Sequence, residues 1–526
     1  MTVAILELAA AFLVVVVIYH VVSVYTSPLS RIPSAGFGAA FSRLAWAFPH
    51  EYNGTITIDL PKLHEKLGNT ASHDSQYDCR NNISSKSPGP LIRIAPNEVS
   101  FYSRETYETV HKVGSKFRKD PRVYGEFVQG GHPALFSITD PVEHAKRRRI
   151  MAQLFSRSKV PQLEKLIVAH VERFVSKIAE GEETVDVGVA ARALEVDIMS
   201  DFSFGTPIQA VDAWASGTQL AMVEKNDKKA TWMPVLTTFP LLCDLWDQLE
   251  NFMFRITGWR TQYTKGLADF QEWCQETWQV ALSTTSPNGF PNLIETLCNA
   301  GLPSETALSE ARENLGPGTD TTSATLAHIL WALAHNPSYQ NALYEDMVAV
   351  GFSTNMTVLE NIPRLQACVK EGIRWAGAAA AMLPRIVPPA GIVLHGRFIP
   401  EGTVLTSSPI WYLHDRTAYP NPKVFDPYRW LTTDAHDISD NRLRDRFYIP
   451  FSRGANVCLG AHFSYLELYV SVAQMVRNFY LEPREPAHST RDQALGQDWI
   501  PVPLPGRKEW VAAVTVGKLE VIHRRR

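Results

Sequence analysis

Between Val160 and Ala179 the apolar positions of VPQLEKLIVAHVERFVSKIA recur three and four residues apart, which predicts an amphipathic helix with one face in a core. TSATLAHILWALAHNP (322–337) is apolar on nearly every side and predicts a helix running through a protein centre. YLELYVSVAQMVRNFYLEP (465–483) predicts another strong helix, closed by Pro483. Strand patterns are short: LIRIAPNEVSFY (91–102), GIVLHGRFIPEGTVLTSS (391–408) and WVAAVTVGKLEVIHR (510–524). The second of these reads as a hairpin with Gly396 and Gly402 near its turns. The expected architecture is mainly α with small peripheral β-sheets, in one large body over residues 39–526.

The N-terminus departs from that body. VAILELAAAFLVVVVIYHVVSVY (Val3–Tyr25) carries one acid, Glu7, and one histidine in an otherwise apolar run. That is near the ~20 residues a helix needs to cross a bilayer. No Lys or Arg precedes it, which argues against a cleaved signal peptide. Arg31 and Arg43 follow it, so the positive-inside rule places the body in the cytosol. Residues 1–26 are therefore expected to be a membrane anchor, released by a Ser/Pro/Gly linker at 27–38. The polar, non-periodic stretch at 68–90 reads as an exposed insertion covering about 69–88, and 283–292 as a break between helical regions.

Composition narrows the function class. A chain of 526 residues, 45% of them apolar, can bury a large core. A net charge of −3 argues against bulk electrostatic binding to nucleic acid. Six scattered cysteines, without CxxC or clustered histidines, exclude a disulfide-dense scaffold and a zinc module and fit a reducing compartment.

Four stretches carry candidate chemistry. FSRGANVCLG (451–460) sets Cys458 in a glycine loop. A structural cysteine stays protonated and inert, whereas a ligand thiolate needs donors that tolerate its charge. Gly454 and Gly460 permit close backbone approach, a helix starting near Leu459–Ala461 adds its positive end, and Phe451 offers a flat apolar lid. Packing and ligation both stand open on these residues alone. In KEGIR (370–374), Glu371 and Arg374 stand three apart on one helix face, normally a solvated pair. The small apolar run after them admits a buried pair instead, with Arg429 of FDPYRW (425–430) as third partner. PGTDTT (317–322) opens the apolar helix, with Gly318 leaving a groove and Pro317 unable to donate to the preceding turn. Asp320 and Thr321 read there either as an acid–alcohol pair for proton delivery or as a helix N-cap. In DPVEHAKRRRIMAQLFS (140–156), His144 and Arg148 stand four apart, and Lys146, Arg147 and Arg149 widen the basic face. It reads as a solvated basic helix or as a site for carboxylates or phosphates.

Taken in order, HxxxR (144–148), GxDTT (318–322), ExxR (371–374), FDPYRW and FxxGxxxCxG (451–460) resemble the motifs of the cytochrome P-450 family of haem-thiolate monooxygenases, of the fungal membrane-anchored type. The resemblance covers nearly the whole chain after the anchor. It implies the cytochrome P-450 fold preceded by one N-terminal transmembrane helix. It also implies haem b, with Cys458 as axial thiolate and metal ligand. Phe451, Gly454 and Gly460 would shape the loop, and His144, Arg148 and Arg385 would pair with the propionates. Asp320 and Thr321 match the catalytic acid–alcohol pair; Glu371, Arg374 and Arg429 match a structural triad.

The implied reaction inserts one oxygen atom from dioxygen into a lipophilic small molecule, an intermediate of fungal secondary metabolism such as a terpenoid, polyketide or alkaloid. The small residues Ala378 to Leu383 fit such a substrate. Electrons would come from NADPH through a separate NADPH–cytochrome P-450 reductase, docked on Arg149, Arg453 and Arg442 to Arg446. The implied location is the endoplasmic reticulum membrane, single-pass, with the catalytic domain cytosolic. A haem-thiolate isomerase or dehydratase needing no external electrons fits less well, because the Asp320–Thr321 pair would be superfluous; a haem-binding non-oxygenase is the other alternative. Three features depart from the family pattern: Asn456 where Arg or His is usual, Pro317 where Ala or Gly is usual, and the 69–88 stretch, a surface loop or a gene-model error.

Overall fold

A computed structural model of the chain describes residues 2–74, 90–128, 130–155, 157–218, 231–283, 292–431, 438–485 and 500–526. The chain divides into two compact units. One comprises Met1–Pro121, Ala381–Trp411 and Arg453–Asn456; the other comprises Arg122–Ala380, Tyr412–Ser452 and Val457–Arg526.

The first unit is built on the predicted β1 (Leu91–Ala95) and β2 (Glu98–Phe101), which pair antiparallel with Leu91 opposite Phe101. Both strands are buried along their whole length. Such a hairpin needs further strands, and β8 (Val404–Thr406) lies parallel to β2. β5 (Arg385–Ile386) and β3 (Arg118–Lys119) complete the order β1-β2-β8-β5-β3. The expected hairpin at 391–408 is therefore half right. β6 (Ile392–Leu394) and β7 (Arg397–Ile399) do pair, across a His395–Gly396 turn in which both residues have positive φ, as a tight hairpin requires. Beyond Gly402 the chain joins the larger sheet instead, because all three residues of β8 are buried and need neighbours on both edges. α3 (Arg104–His111) follows β2, with Ser103 as its N-cap.

Val3–Tyr25 does form a helix, α1 (Thr2–Thr26), with Phe12, Leu13, Val15 and Ile18 exposed. Among the described residues, however, no helix is long and apolar enough to cross a membrane, so the expected span is not supported here. The last turns of α1 belong to the folded body: His20 bonds the Phe41 carbonyl at 2.7 Å and Val24 is buried. In the 27–38 stretch Leu29 and Ile32 are buried, and Ser34 bridges Arg93. The 69–88 stretch begins helically, since α2 (Ile56–Asp74) runs into it; 75–89 lie outside the described residues. So does 284–291, within the predicted break at 283–292.

The second unit is helical. α4 (Pro141–Met151) and α5 (Val160–Glu180) lead to α6 (Val187–Phe204), almost wholly buried, and α5 matches the predicted amphipathic helix. α6 packs against α7 (Ser304–Ala334), a helix of 31 residues. Close approach is possible because Gly318 has no side chain: a Cβ there would stand 2.5 Å from Met199 Cε of α6. α7 corrects one expectation. It begins at Ser304 and continues through Pro317, so Asp320 and Thr321 lie mid-helix and cap nothing. Burial against α6 and other neighbours outweighs the lost proline hydrogen bond, a tertiary effect invisible to local pattern.

α8 (Pro363–Ala376) and α9 (Ala461–Asn478) complete the part of this unit that bears the candidate residues. α9 ends at Asn478 rather than at Pro483, because Phe479–Pro483 (β10) leaves the helix to pair with β14 (Glu520–Arg525). β4 (Thr184–Asp186) is the third strand of that sheet. Two further pairs join β9 (Val424–Phe425) to β11 (Val502–Pro503), and β12 (Arg507–Glu509) to β13 (Ala513–Thr515). The 510–524 stretch thus contributes to two sheets.

Candidate functional site

Cys458 sits where an irregular loop becomes a helix. Gly454–Asn456 form one 3₁₀ turn, the Cys458 N–H donates to the Phe451 carbonyl at 3.0 Å, and Gly460 caps α9. Phe451 lies against the Tyr465 ring with centroids 5.6 Å apart. Gly454, in the first unit, is required twice over: its φ is +74°, and a Cβ would meet the His111 carbonyl oxygen at 1.7 Å. Gly460 has ordinary backbone angles, and its part is different, since its N–H bonds the Cys458 sulfur.

The Cys458 thiol meets both solvent and crowding protein. Its accessible surface marks Cys458 as exposed, yet burial is the main influence on its pKa, raising it above the ordinary thiol value. The Gly460 N–H and the Arg148 charge oppose that rise. Arg148 is held in place by donating to the Val457 carbonyl at 2.6 Å, one residue before the cysteine. With the positive end of α9 alongside, three sources of positive potential act on one sulfur and oppose the rise that burial imposes.

The predicted basic face of α4 proves not to be one surface. His144 is buried, and Arg148 is spent on the cysteine loop. Arg147 pairs with Glu310 of α7, Lys146 pairs with Glu143 at 2.8 Å, and Arg149 is exposed. Arg385, in the first unit, is 2% exposed on β5 and donates to the Pro384 carbonyl at 2.9 Å.

On α7, the Thr321 hydroxyl donates to the Pro317 carbonyl at 3.0 Å. Asp320 pairs with Arg192 of α6 at 2.9 Å. Burial raises the Asp320 pKa above the ordinary carboxylate value, and the Arg192 charge works against that rise. Arg192 was not among the expected residues, although it is the one basic side chain in VGVAARALEV (187–196).

The Glu371 network is fully internal. Glu371 and Arg374 are both 0% exposed and joined by two bonds of 2.7 and 2.8 Å. Arg429 reaches the same carboxylate at 3.1 Å, as predicted, and so do the Trp430 indole N–H at 2.9 Å and the Asp426 amide at 2.9 Å. Arg374 also donates to the carbonyls of Leu413 and Pro422. Burial alone would raise the Glu371 pKa; Arg374 and Arg429 overcome it and hold the carboxyl below its ordinary value. Downstream, Gly377 ends α8 in the left-handed region, and Ala378–Pro384 have no regular structure. The alanine run is therefore not helix packing.

The residues suit a haem. One solvent-reached thiol carries N–H and guanidinium support, and His144 and Arg385 are buried basic groups. Residues 68–498 match the family model described as cytochrome P-450. The chain is 28% identical over 491 residues to a cytochrome P-450 monooxygenase of Penicillium terrestre, covering 88% of this chain and 90% of that protein. It is 26% identical over 483 residues to a fusicoccadiene C-8 hydroxylase of Alternaria brassicicola, covering 86% and 84%. A conidiogenone synthase of Penicillium rubens is 25% identical over 465 residues, covering 86% and 88%.

Proposed function

The chain belongs to the cytochrome P-450 family of haem monooxygenases, and on that premise we propose that it oxidises a lipophilic small molecule of fungal secondary metabolism, a terpenoid, polyketide or alkaloid intermediate. The observation that carries the reading is Cys458, reachable by solvent yet backed by the Gly460 N–H and the Arg148 guanidinium. Bound haem supplies dioxygen activation at its iron. Cys458 would ligate it, within the loop shaped by Phe451, Gly454 and Gly460. His144 and Arg148 of the second unit would hold its carboxylates by charge-assisted hydrogen bonds. Asp320, raised toward neutrality, would hold a proton at its carboxyl, and Thr321 would pass one from its hydroxyl. Arg192, paired with Asp320, opposes that rise.

NADPH would supply electrons through a separate reductase, with exposed Arg149, Arg442 and Arg446 of the second unit meeting its acidic face. In the experiment, purified chain, reductase, NADPH and isotopically labelled dioxygen are incubated with candidate terpenoids, polyketides and alkaloids. Label should enter the product, and reduction should slow with added salt. Thr321→Ala should lower product per NADPH on the order of 100-fold while NADPH consumption continues. Product formed without NADPH would contradict the monooxygenase reading, and unchanged coupling in the variant would remove Thr321 from the mechanism.

We also propose that α1 anchors the chain once in the endoplasmic reticulum membrane with its body cytosolic. The apolar side chains exposed along α1, and Arg31 and Arg43 after it, support this. Deleting residues 1–26 should move the protein from the carbonate-resistant membrane fraction to the supernatant; an unchanged distribution would count against the anchor.

A further inference from the structure

Between α6, α7 and α9 the second unit buries two carboxyl groups against each other. Glu195 of α6 is 0% exposed and Glu467 of α9 is 1% exposed. Neither oxygen of Glu195, nor Oε1 of Glu467, meets a hydrogen-bond donor. Each group has the other as side-chain partner, but only if one of them is protonated, because two carboxylates offer acceptors and no donor. Glu467 also accepts from the Thr322 hydroxyl. Thr322 is in turn paired at 3.1 Å with the Ser464 hydroxyl in the first turn of α9. A chain of polar groups, Ser464–Thr322–Glu467–Glu195, thus crosses three helices in an apolar core.

Among the described residues, no cation acts on either carboxyl. The charged neighbours on the packed helices are committed elsewhere. On α5, His170 bonds Asp201 and Arg173 pairs with Asp212. On α6, Asp197 accepts the Ala210 and Val211 amides, and Arg192 pairs with Asp320. On α7, Glu310 holds Arg147, Glu313 accepts from Ser137, and His328 bonds the Ala324 carbonyl. On α8, Glu371 and Arg374 hold each other, and on α9, Arg477 lies over the Phe352 ring. Two adjacent buried carboxylates without a counter-ion are costly enough that one proton must stay.

We propose that Glu195 and Glu467 share one retained proton and, through Thr322, act as positioning residues for the α7 turn that carries Asp320 and Thr321. The positioning half rests on the proton-handling reading of those two residues; the retained proton does not. Burial pushes the Glu195 carboxyl up to about 8, and burial together with the Glu195 charge pushes Glu467 well above the carboxylate range. A carboxyl with a raised folded-state pKa stabilises fully below its unfolded value. That stabilisation drains away as pH rises toward about 8 and is gone above it.

Infrared spectra of the holoenzyme should show protonated-carboxyl absorption with one component that is lost near pH 8 and is absent in Glu195→Gln, and a second component, from Glu467, that persists above pH 8. Between about pH 6 and pH 8 the wild-type Tm should fall by roughly 2–3 °C more than that of Glu195→Gln, with a constant difference above that range. Glu467→Gln provides the same comparison if the first variant does not fold, and the wild-type band needs no variant. A wild type without a band titrating near pH 8, or variants with the wild-type slope, would overturn the shared proton. Glu467→Leu should lower product per NADPH several-fold, and Glu467→Gln, which keeps an acceptor for Thr322, should restore most of it. If coupling is unmoved while the band and slope behave as expected, the positioning role is wrong and the pair stands. Failure of the Asp320–Thr321 reading appears separately, as unchanged coupling in Thr321→Ala.

Discussion

Cys458→Ala should fold and lose its haem: cofactor content should drop at least tenfold, and the thiolate-type Soret band of the reduced carbon monoxide complex should vanish. The fold survives because Cys458 is exposed and its removal creates no buried cavity. The haem is lost because no other described cysteine can replace the ligand. Burial pushes Cys274 up to about 12 and Cys368 higher still. Burial is also the leading cause of raised pKa values at Cys243 and Cys298. Only Cys458 combines reach with a bonded N–H and the Arg148 charge. A thiolate-type band that persists in the purified variant would remove the ligand assignment.

Arg374→Ala is expected to be the most damaging substitution for the fold. It leaves Glu371 with Arg429 as its remaining cation and strips donors from the Leu413 and Pro422 carbonyls. Breaking a buried pair costs about 3–5 kcal/mol, against a total stability of roughly 5–15 kcal/mol. Little soluble protein should accumulate, and what does should melt well below the wild type in a thermal scan. A variant with wild-type Tm would show that the network contributes nothing net. The same carboxyl sets an acid limit. Because its folded pKa lies below its unfolded one, its contribution is present above the unfolded value and is lost as pH falls through the folded one.

The residues of this network were legible because each belongs to a spaced motif, and spacing survives in one dimension. Glu371, Arg374 and Arg429 meet as expected, and Arg148 reaches the cysteine loop. Legibility failed where a neighbour distant in the chain set the outcome. A local reading opens a helix at Pro317, but burial against α6 carries α7 through it. Phe479–Pro483 reads as helix from its apolar content, yet β14 captures it as a strand. Arg147 looks like part of a basic surface, but Glu310 takes it inward.

By itself the amino-acid order determined the mainly helical class, the cysteine loop and the five motifs, because periodicity and residue spacing are local properties. Only the tertiary structure decided which charges are spent on one another, that Asp320 has Arg192 as its counter-ion, and that Glu195 and Glu467 share a buried space without one. Those outcomes depend on burial and on distances between residues far apart in the chain. Those two quantities set how strongly a charge is felt, and neither exists until the helices pack.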